Sequence, residues 1–99
     1  MRILVTSDAF DDLDYSYAFY EKQEKGIGSY FRECIEQDLN DLPRTAGIHS
    51  KIKGYLHVNS KVFNSILYYR MEPGAAIVIA ILDGRIHPYK RNQILKTRS

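Results

Sequence analysis

The stretch from Phe63 to Arg85 reads FNSILYYRMEPGAAIVIAILDGR, and its pattern decides the fold. Phe63–Met71 and Ala75–Leu82 are rich in Ile, Leu, Val, Tyr and Phe, the residues that fit a pleated, half-buried surface. Between them stands Glu72-Pro73-Gly74, where proline presets one turn dihedral and glycine accepts a left-handed one. The two runs therefore form an antiparallel hairpin. Ala75–Leu82 is apolar at every position, which marks a central strand covered on both sides, or one that faces a partner. Asp83-Gly84 ends it.

Upstream the period changes. Ile3–Thr6 is a short β-branched opening strand. Ser7 or Asp8 is placed to cap a helix, and Asp8, Asp11 and Asp12 put negative charge where the helix dipole favours it. Phe10, Leu13, Tyr17 and Tyr20 recur at helical spacing and predict an apolar stripe down to about Lys25. Gly26-Ile27-Gly28 allows a tight reversal. A second helix then runs from about Ser29, with Phe31, Cys34, Ile35, Leu39 and Leu42 on one face, until Pro43 stops it. So short a link predicts an antiparallel helical hairpin. After a polar stretch at Arg44–Ser50, Ile52–Val58 reads as one further strand. The order is β-α-α-β-β-β with a basic C-terminal tail: an α+β fold with a helical hairpin packed on a mainly antiparallel sheet.

A chain of 99 residues fits one domain, 1–99, with 85–99 as its tail. Its net charge of +2 conceals a division. Residues 1–42 hold four Lys/Arg against ten Asp/Glu, whereas residues 43–99 hold ten against two. The tail carries Arg85, Lys90, Arg91, Lys96 and Arg98 with no acid, and Tyr89–Lys96 suits a short helix or a flexible arm. Such a surface invites either a polyanion or an acidic protein segment. The lone Cys34 excludes a disulfide framework and a cysteine zinc cluster; on an apolar helix face it acts as a small hydrophobe. The longest apolar run falls far short of the ~20 residues that span a bilayer. Met1–Ser7 turns acidic before a signal-peptide core forms. A cytoplasmic protein with no membrane contact, no metal and no cofactor is expected.

Order and motifs together resemble the RelE/ParE superfamily of bacterial type II toxin–antitoxin toxins. The resemblance runs from Asp8-Ala9-Phe10-Asp11-Asp12-Leu13 through Tyr20-Glu21, Gly26-Ile27-Gly28-Ser29-Tyr30-Phe31 and Leu42-Pro43. It resumes at Val62–Arg70 and closes with Ile77–Arg85. Two departures are visible: Phe63-Asn64 stands where family members often carry Phe-Pro, and Asp83 where many ParE-type members have His. The resemblance implies a small toxin of a plasmid-stabilisation-like module, neutralised by a cognate antitoxin. ParE-type members poison DNA gyrase, whereas RelE-type members cleave messenger RNA on the ribosome. The long hairpin with its Gly-x-Gly reversal looks more like the ParE side. A degenerate, non-toxic member is the third reading.

Ribosome-dependent cleavage needs a base for the ribose 2′-OH, an acid for the leaving oxygen, and cations for the phosphorane-like charge. The candidates are Lys51 and Lys53, two apart and so on one face of an extended segment, with Arg85, His87 and Tyr89 after the last strand. His87, the only histidine of the tail, is by residue type the natural acid or base, and Tyr89 is suited to stacking on a base or donating a proton. RelE-like nucleases resemble this in using a Lys pair, Arg residues and a late Tyr, although Arg85-Ile86-His87-Pro88 departs from their order. Lys51 and Lys53 read equally as solvated charges flanking a strand. Arg70 either faces a ligand or pairs with an acid of the helical hairpin. The expected target- or antitoxin-binding surface comprises Arg70, Arg85, Lys90 and Arg91. His49 and His57 have no metal-ligand spacing and read as surface or half-buried residues.

Overall fold

A computed structural model describes residues 1–98. Strand β1 (Arg2–Val5) leads into helix α1 (Ser7–Gln23), which reverses into α2 (Ile27–Asp41) and a 3-10 turn at Leu42–Arg44. Four strands follow: β2 (Lys51–Ile52), β3 (Tyr55–Asn59), β4 (Ser65–Glu72) and β5 (Ala75–Asp83). Helix α3 (Pro88–Lys96) closes the chain. The sheet order is β1-β5-β4-β3-β2, with β1 parallel to β5 and every other neighbour antiparallel. This is the expected α+β architecture, and β5 is the inner strand covered on both faces.

The helical hairpin lies on one face. Ala9 and Leu13 of α1, with Phe31 and Ile35 of α2, pack on Leu67, Tyr69, Ala76, Val78 and Ile81. The second face is covered by α3, whose Leu95 is buried against Tyr68, Ile79, Ala80 and Leu82. The tail is thus a docked helix, the first of its two expected forms. Consecutive tyrosines serve both cores because strand side chains alternate: Tyr68 and Tyr69 are each buried, on opposite faces. Beside them the β4–β5 register slips, Tyr68 facing Ala80 but Tyr69 facing Val78, so that Ile79 is an extra residue, a β-bulge.

Three local expectations are corrected. The cap of α1 is Thr6, not Ser7 or Asp8: its Oγ1 accepts from the Ala9 N–H at 3.2 Å. The buried stripe of α1 is Ala9–Leu13 with Tyr20 packed on it, and Phe10 is exposed on the outer side. The expected strand Ile52–Val58 is a tight hairpin, broken at Lys53-Gly54, both with positive φ. That break also undoes the Lys51/Lys53 pair, since only Lys51 lies in a strand while Lys53 sits on the turn.

The α1–α2 reversal relies on two glycines for different reasons. Gly26, at φ 94°, takes the left-handed conformation that precedes α2. Gly28 lies inside α2, where a Cβ would stand 2.8 Å from the Tyr17 carbonyl oxygen, so the close approach of the helices demands its bare backbone. Gly26 offers no capping side chain. Glu21 of α1 supplies one instead, accepting from the Gly26 and Gly28 N–H groups at 3.0 and 2.9 Å.

Candidate functional site at the end of strand β5

Where β5 ends, Asp83-Gly84-Arg85 turns the chain toward α3. The Gly84 N–H donates to the Asn64 carbonyl at 2.5 Å, and a Cβ there would lie 2.9 Å from the same oxygen. Glycine is required by that contact. Asp83 then clamps Arg85: its carboxylate accepts from the Arg85 backbone N–H at 2.8 Å, from Nε at 3.0 Å, and from Nη2 at 2.7 Å. The charge-assisted fork holds the Asp83 carboxyl below the usual carboxylate range and raises the guanidinium still further. Nη2 also donates to the Tyr20 hydroxyl at 3.3 Å. Burial pushes that phenol upward, so Tyr20 is neutral and acts as an acceptor for the cation. Because more than half of the Arg85 side chain is exposed, its outer edge faces solvent already oriented.

An aromatic cluster supports this clamp. The Tyr20 ring stands 4.9 Å from Phe63, 5.0 Å from Phe31 and 5.4 Å from Phe19, and Tyr30 stands 5.6 Å from Phe63. Phe31 is buried, whereas Phe19 and Tyr30 are exposed. Two concavities flank the cluster. One, about 410 Å³, lies between α1 and α3 and is lined by Tyr15, Phe19, Tyr20, Asp83, Lys90 and Ile94 among others. The other, about 440 Å³, is lined by Asn59, Ser60, Phe63, Asn64, Arg85 and Arg91 among others. Exposed Phe and Tyr beside Arg is the composition of protein-binding hot spots.

The expected site residues divide into two groups. Arg85, Lys90 and Arg91 meet around these concavities. Arg91 reaches back to its own chain, Nη1 donating to the Gly84 and Ile86 carbonyls at 2.8 and 3.1 Å. His87 is the N-cap of α3, its Nδ1 accepting from the Tyr89 N–H at 3.1 Å, which leaves the proton on Nε2. Tyr89 is 68% exposed on the first turn of α3. Lys51 and Arg70 lie elsewhere, around a third concavity with Gly54 and Tyr69. Arg70 pairs with Glu72 of its own strand at 3.1 Å, not with an acid of the helical hairpin. Register places Lys51 opposite Leu56, Leu56 opposite Tyr69, and Tyr69 opposite Val78. Three strand spacings at ~4.8 Å and the five residue steps from Val78 to Asp83 at ~3.3 Å put Lys51 some ~14 Å across and ~17 Å along from the Arg85 turn. A proton relay between them has no short path.

Sequence reasoning missed the residue that ties these elements together. Asp12 Oδ2 accepts from the Ile81 N–H at 3.0 Å, and both its oxygens pair with Arg98, at 2.7 and 2.9 Å. Arg98 Nη1 also donates to the carbonyl of the bulged Ile79 at 3.0 Å. Beyond the end of β1, one acid and one base thus satisfy the β5 edge that β1 has left. Spacing gave no signal for it: Asp12 lies off the Phe10–Leu13–Tyr17–Tyr20 stripe and faces inward only because the buried side of α1 runs through Ala9 and Leu13.

A helical hairpin and a docked C-terminal helix sandwich a five-stranded mixed sheet, which defines an α+β fold. A solved chain described as "Chromosomal ParDE TA system from P. aeruginosa" shares it, with a TM-score of 0.73 at 17% sequence identity. The likeness covers 82% of this chain and 92% of that one. No family model and no curated protein matches the sequence.

Proposed function

We propose that this chain is the toxin of a type II toxin–antitoxin pair, that it works in the cytoplasm by binding DNA gyrase, and that a cognate antitoxin neutralises it. The fold shared with a chain of a ParDE system supports the toxin assignment. The observation that favours binding over RNA cleavage is the separation of the lysines from Arg85, together with the engagement of Arg85 by Asp83 and Tyr20. Asp83 already offsets much of the Arg85 charge, leaving less for a developing phosphorane, whereas the exposed edge of the guanidinium still offers donors to a protein partner. The exposed aromatic residues and the concavities beside them offer anchors for a protein partner, and the same surface suits an antitoxin that masks it.

The test pairs two assays on the purified chain. Gyrase supercoiling is expected to fall with added toxin and to recover on adding antitoxin, with Arg85→Ala at least about tenfold weaker, a loss of about 1.4 kcal/mol. Induction in cells is expected to arrest growth with messenger 5′ ends unchanged. Codon-biased cuts in translated messages, together with full gyrase activity, would establish the RelE-type endoribonuclease instead. Vigorous growth under strong expression would establish a non-toxic member.

A further inference from the structure

We propose that strand β1 is the interface of a symmetric dimer, with two copies of this chain pairing their β1 edges antiparallel into one continuous sheet. The inference is independent of the gyrase reading and starts from hydrogen bonds. The Arg2 N–H donates to the Gly74 carbonyl and the Thr6 N–H to the Val78 carbonyl, so Arg2, Leu4 and Thr6 turn their backbone toward β5. By alternation Ile3 and Val5 turn theirs outward. Among the described residues no hydrogen bond reaches those outward groups.

Open edges are usually blunted by a proline, a bulge, an inward charge or a covering element. The run Ile3-Leu4-Val5 holds no proline, bulge or charge, β1 ends its sheet, and the 3-10 turn at Leu42–Arg44 packs near it without bonding its outward groups. Two-fold pairing centred on Leu4 sets Ile3 of one copy against Val5 of the other. It forms about four main-chain hydrogen bonds without disturbing any bond to β5.

Side chains favour a second copy over an unrelated strand. Ile3 and Val5 pack into the hairpin-side core, whereas Leu4, in register with Ile77, faces the α3 side and is 38% exposed. The axis brings the two Leu4 side chains together in a closely spaced pair. The same register sets Arg2 against Thr6 of the second copy, next to its Asp8. Arg2 has no ion-pair partner among the described residues. Asp8 is exposed and lies on the α3 side, 3.9 Å from Arg98 Nε. Each copy therefore carries an unpaired cation and an exposed carboxylate at the two ends of one short strand, a self-complementary arrangement. Four residues bury little area, so the dimer is of the weak class.

Sedimentation equilibrium of the purified chain from about 5 µM to about 1 mM tests this. A reversible monomer–dimer equilibrium is expected, with slowed amide exchange at Ile3 and Val5 as dimer accumulates. Leu4→Glu, at a side chain outside both buried clusters, is expected to weaken dimerisation at least about tenfold by setting like charges across the axis. Arg2→Glu and Asp8→Arg are each expected to weaken it, and the double exchange to restore it. Circular dichroism identical to that of the parent shows each variant folded. A monomer throughout the range overturns the proposal. So does a dimer indifferent to Leu4→Glu and Arg2→Glu, which would use another surface.

Discussion

Arg98 shows how a single side chain joins three elements. It pairs with Asp12 on α1, reaches the carbonyl of Ile79 on β5, and follows α3 directly; both partners of the pair are about 14% exposed or less. The neighbouring carboxylates, Asp12 foremost, raise its guanidinium. Arg98→Ala leaves Asp12 buried without its cation and is expected to cost roughly 2–4 kcal/mol in urea unfolding. Asp12→Ala combined with Arg98→Ala should cost less than the sum of the singles, because the second change removes a group already orphaned. His49 is the second residue with a measurable consequence. The Gly47 N–H donates to the Tyr69 hydroxyl at 3.0 Å, and the hydroxyl is paired with His49 Nδ1 at 2.5 Å; where the hydroxyl donates in that pair, the imidazole is neutral. Burial, reinforced by His57, lowers the His49 pKa, while Asp38, Asp41, Arg44 and Lys61 line the concavity on its other side. The unfolded chain thus binds the proton more readily than the native one. The stability tied to His49 is complete above the ordinary histidine pKa near 6.5 and is lost as pH falls below it toward the depressed native value. Chemical denaturation at pH 7.5 and 5.5 should show a smaller acid loss in His49→Gln than in the parent.

The elements were legible where one local signal sufficed and obscure where a contact across the fold decided. Pro73-Gly74 and the aliphatic run after it place the β4–β5 hairpin without reference to anything else. The two helices follow from their stripes, although Phe10 looked inward by spacing; only the packed structure shows that Ala9 and Leu13 fill that face. Gly54 announces a turn by type, yet Ile52–Val58 read as one strand because its apolar content masked the break. At the candidate site, Arg85, Lys90 and Arg91 were recognisable from charge at a strand end. Tyr20, Phe19 and Phe63 were not, because their meeting depends on the angle at which the helices cross the sheet. The approach of α2 to α1, which brings Phe31 to Tyr20, rests on Gly28. Gly28→Ala sets a methyl 2.8 Å from a backbone oxygen of α1, which cannot move without shifting the helix. The variant is expected to lose about 1–3 kcal/mol of stability. Near-ultraviolet circular dichroism should change with it, since the Tyr20 cluster is carried on α1; an unchanged aromatic signal would show that the helices do not set the cluster.

At the scale of the whole molecule, the acidic first half and basic second half are two layers that meet, and much of the opposite charge is consumed where they do. Arg98 pairs with Asp12, and Lys61 reaches Asp38 and Asp41, each joining the second half of the chain to the helical hairpin. Arg85 and Arg70 are matched by Asp83 and Glu72, the only acids of the second half, while Arg91 is turned onto backbone carbonyls. Of the tail's cations, Lys90 and Lys96 are the two with neither an ion pair nor a hydrogen bond among the described residues. Lys51 and Lys53 sit at the far edge of the sheet, too distant to add to the same footprint. Composition alone suggested a broad polyanion surface; the folded chain offers a narrow one. The consequence is quantitative, because each phosphate neutralised contributes about −0.9 to the slope of log K against log salt on duplex DNA. A footprint of two lysines predicts a slope near about −2, with affinity too weak to survive physiological salt. Fluorescence anisotropy of a labelled duplex, titrated with the chain at several salt concentrations, measures it. A slope steeper than about −5 would mean that Arg85, Arg91 and Arg98 leave their internal partners on contact with nucleic acid. A slope near −2 would leave this surface too little free charge to hold duplex DNA at physiological salt, in keeping with a contact made mainly through the exposed aromatic residues beside Arg85.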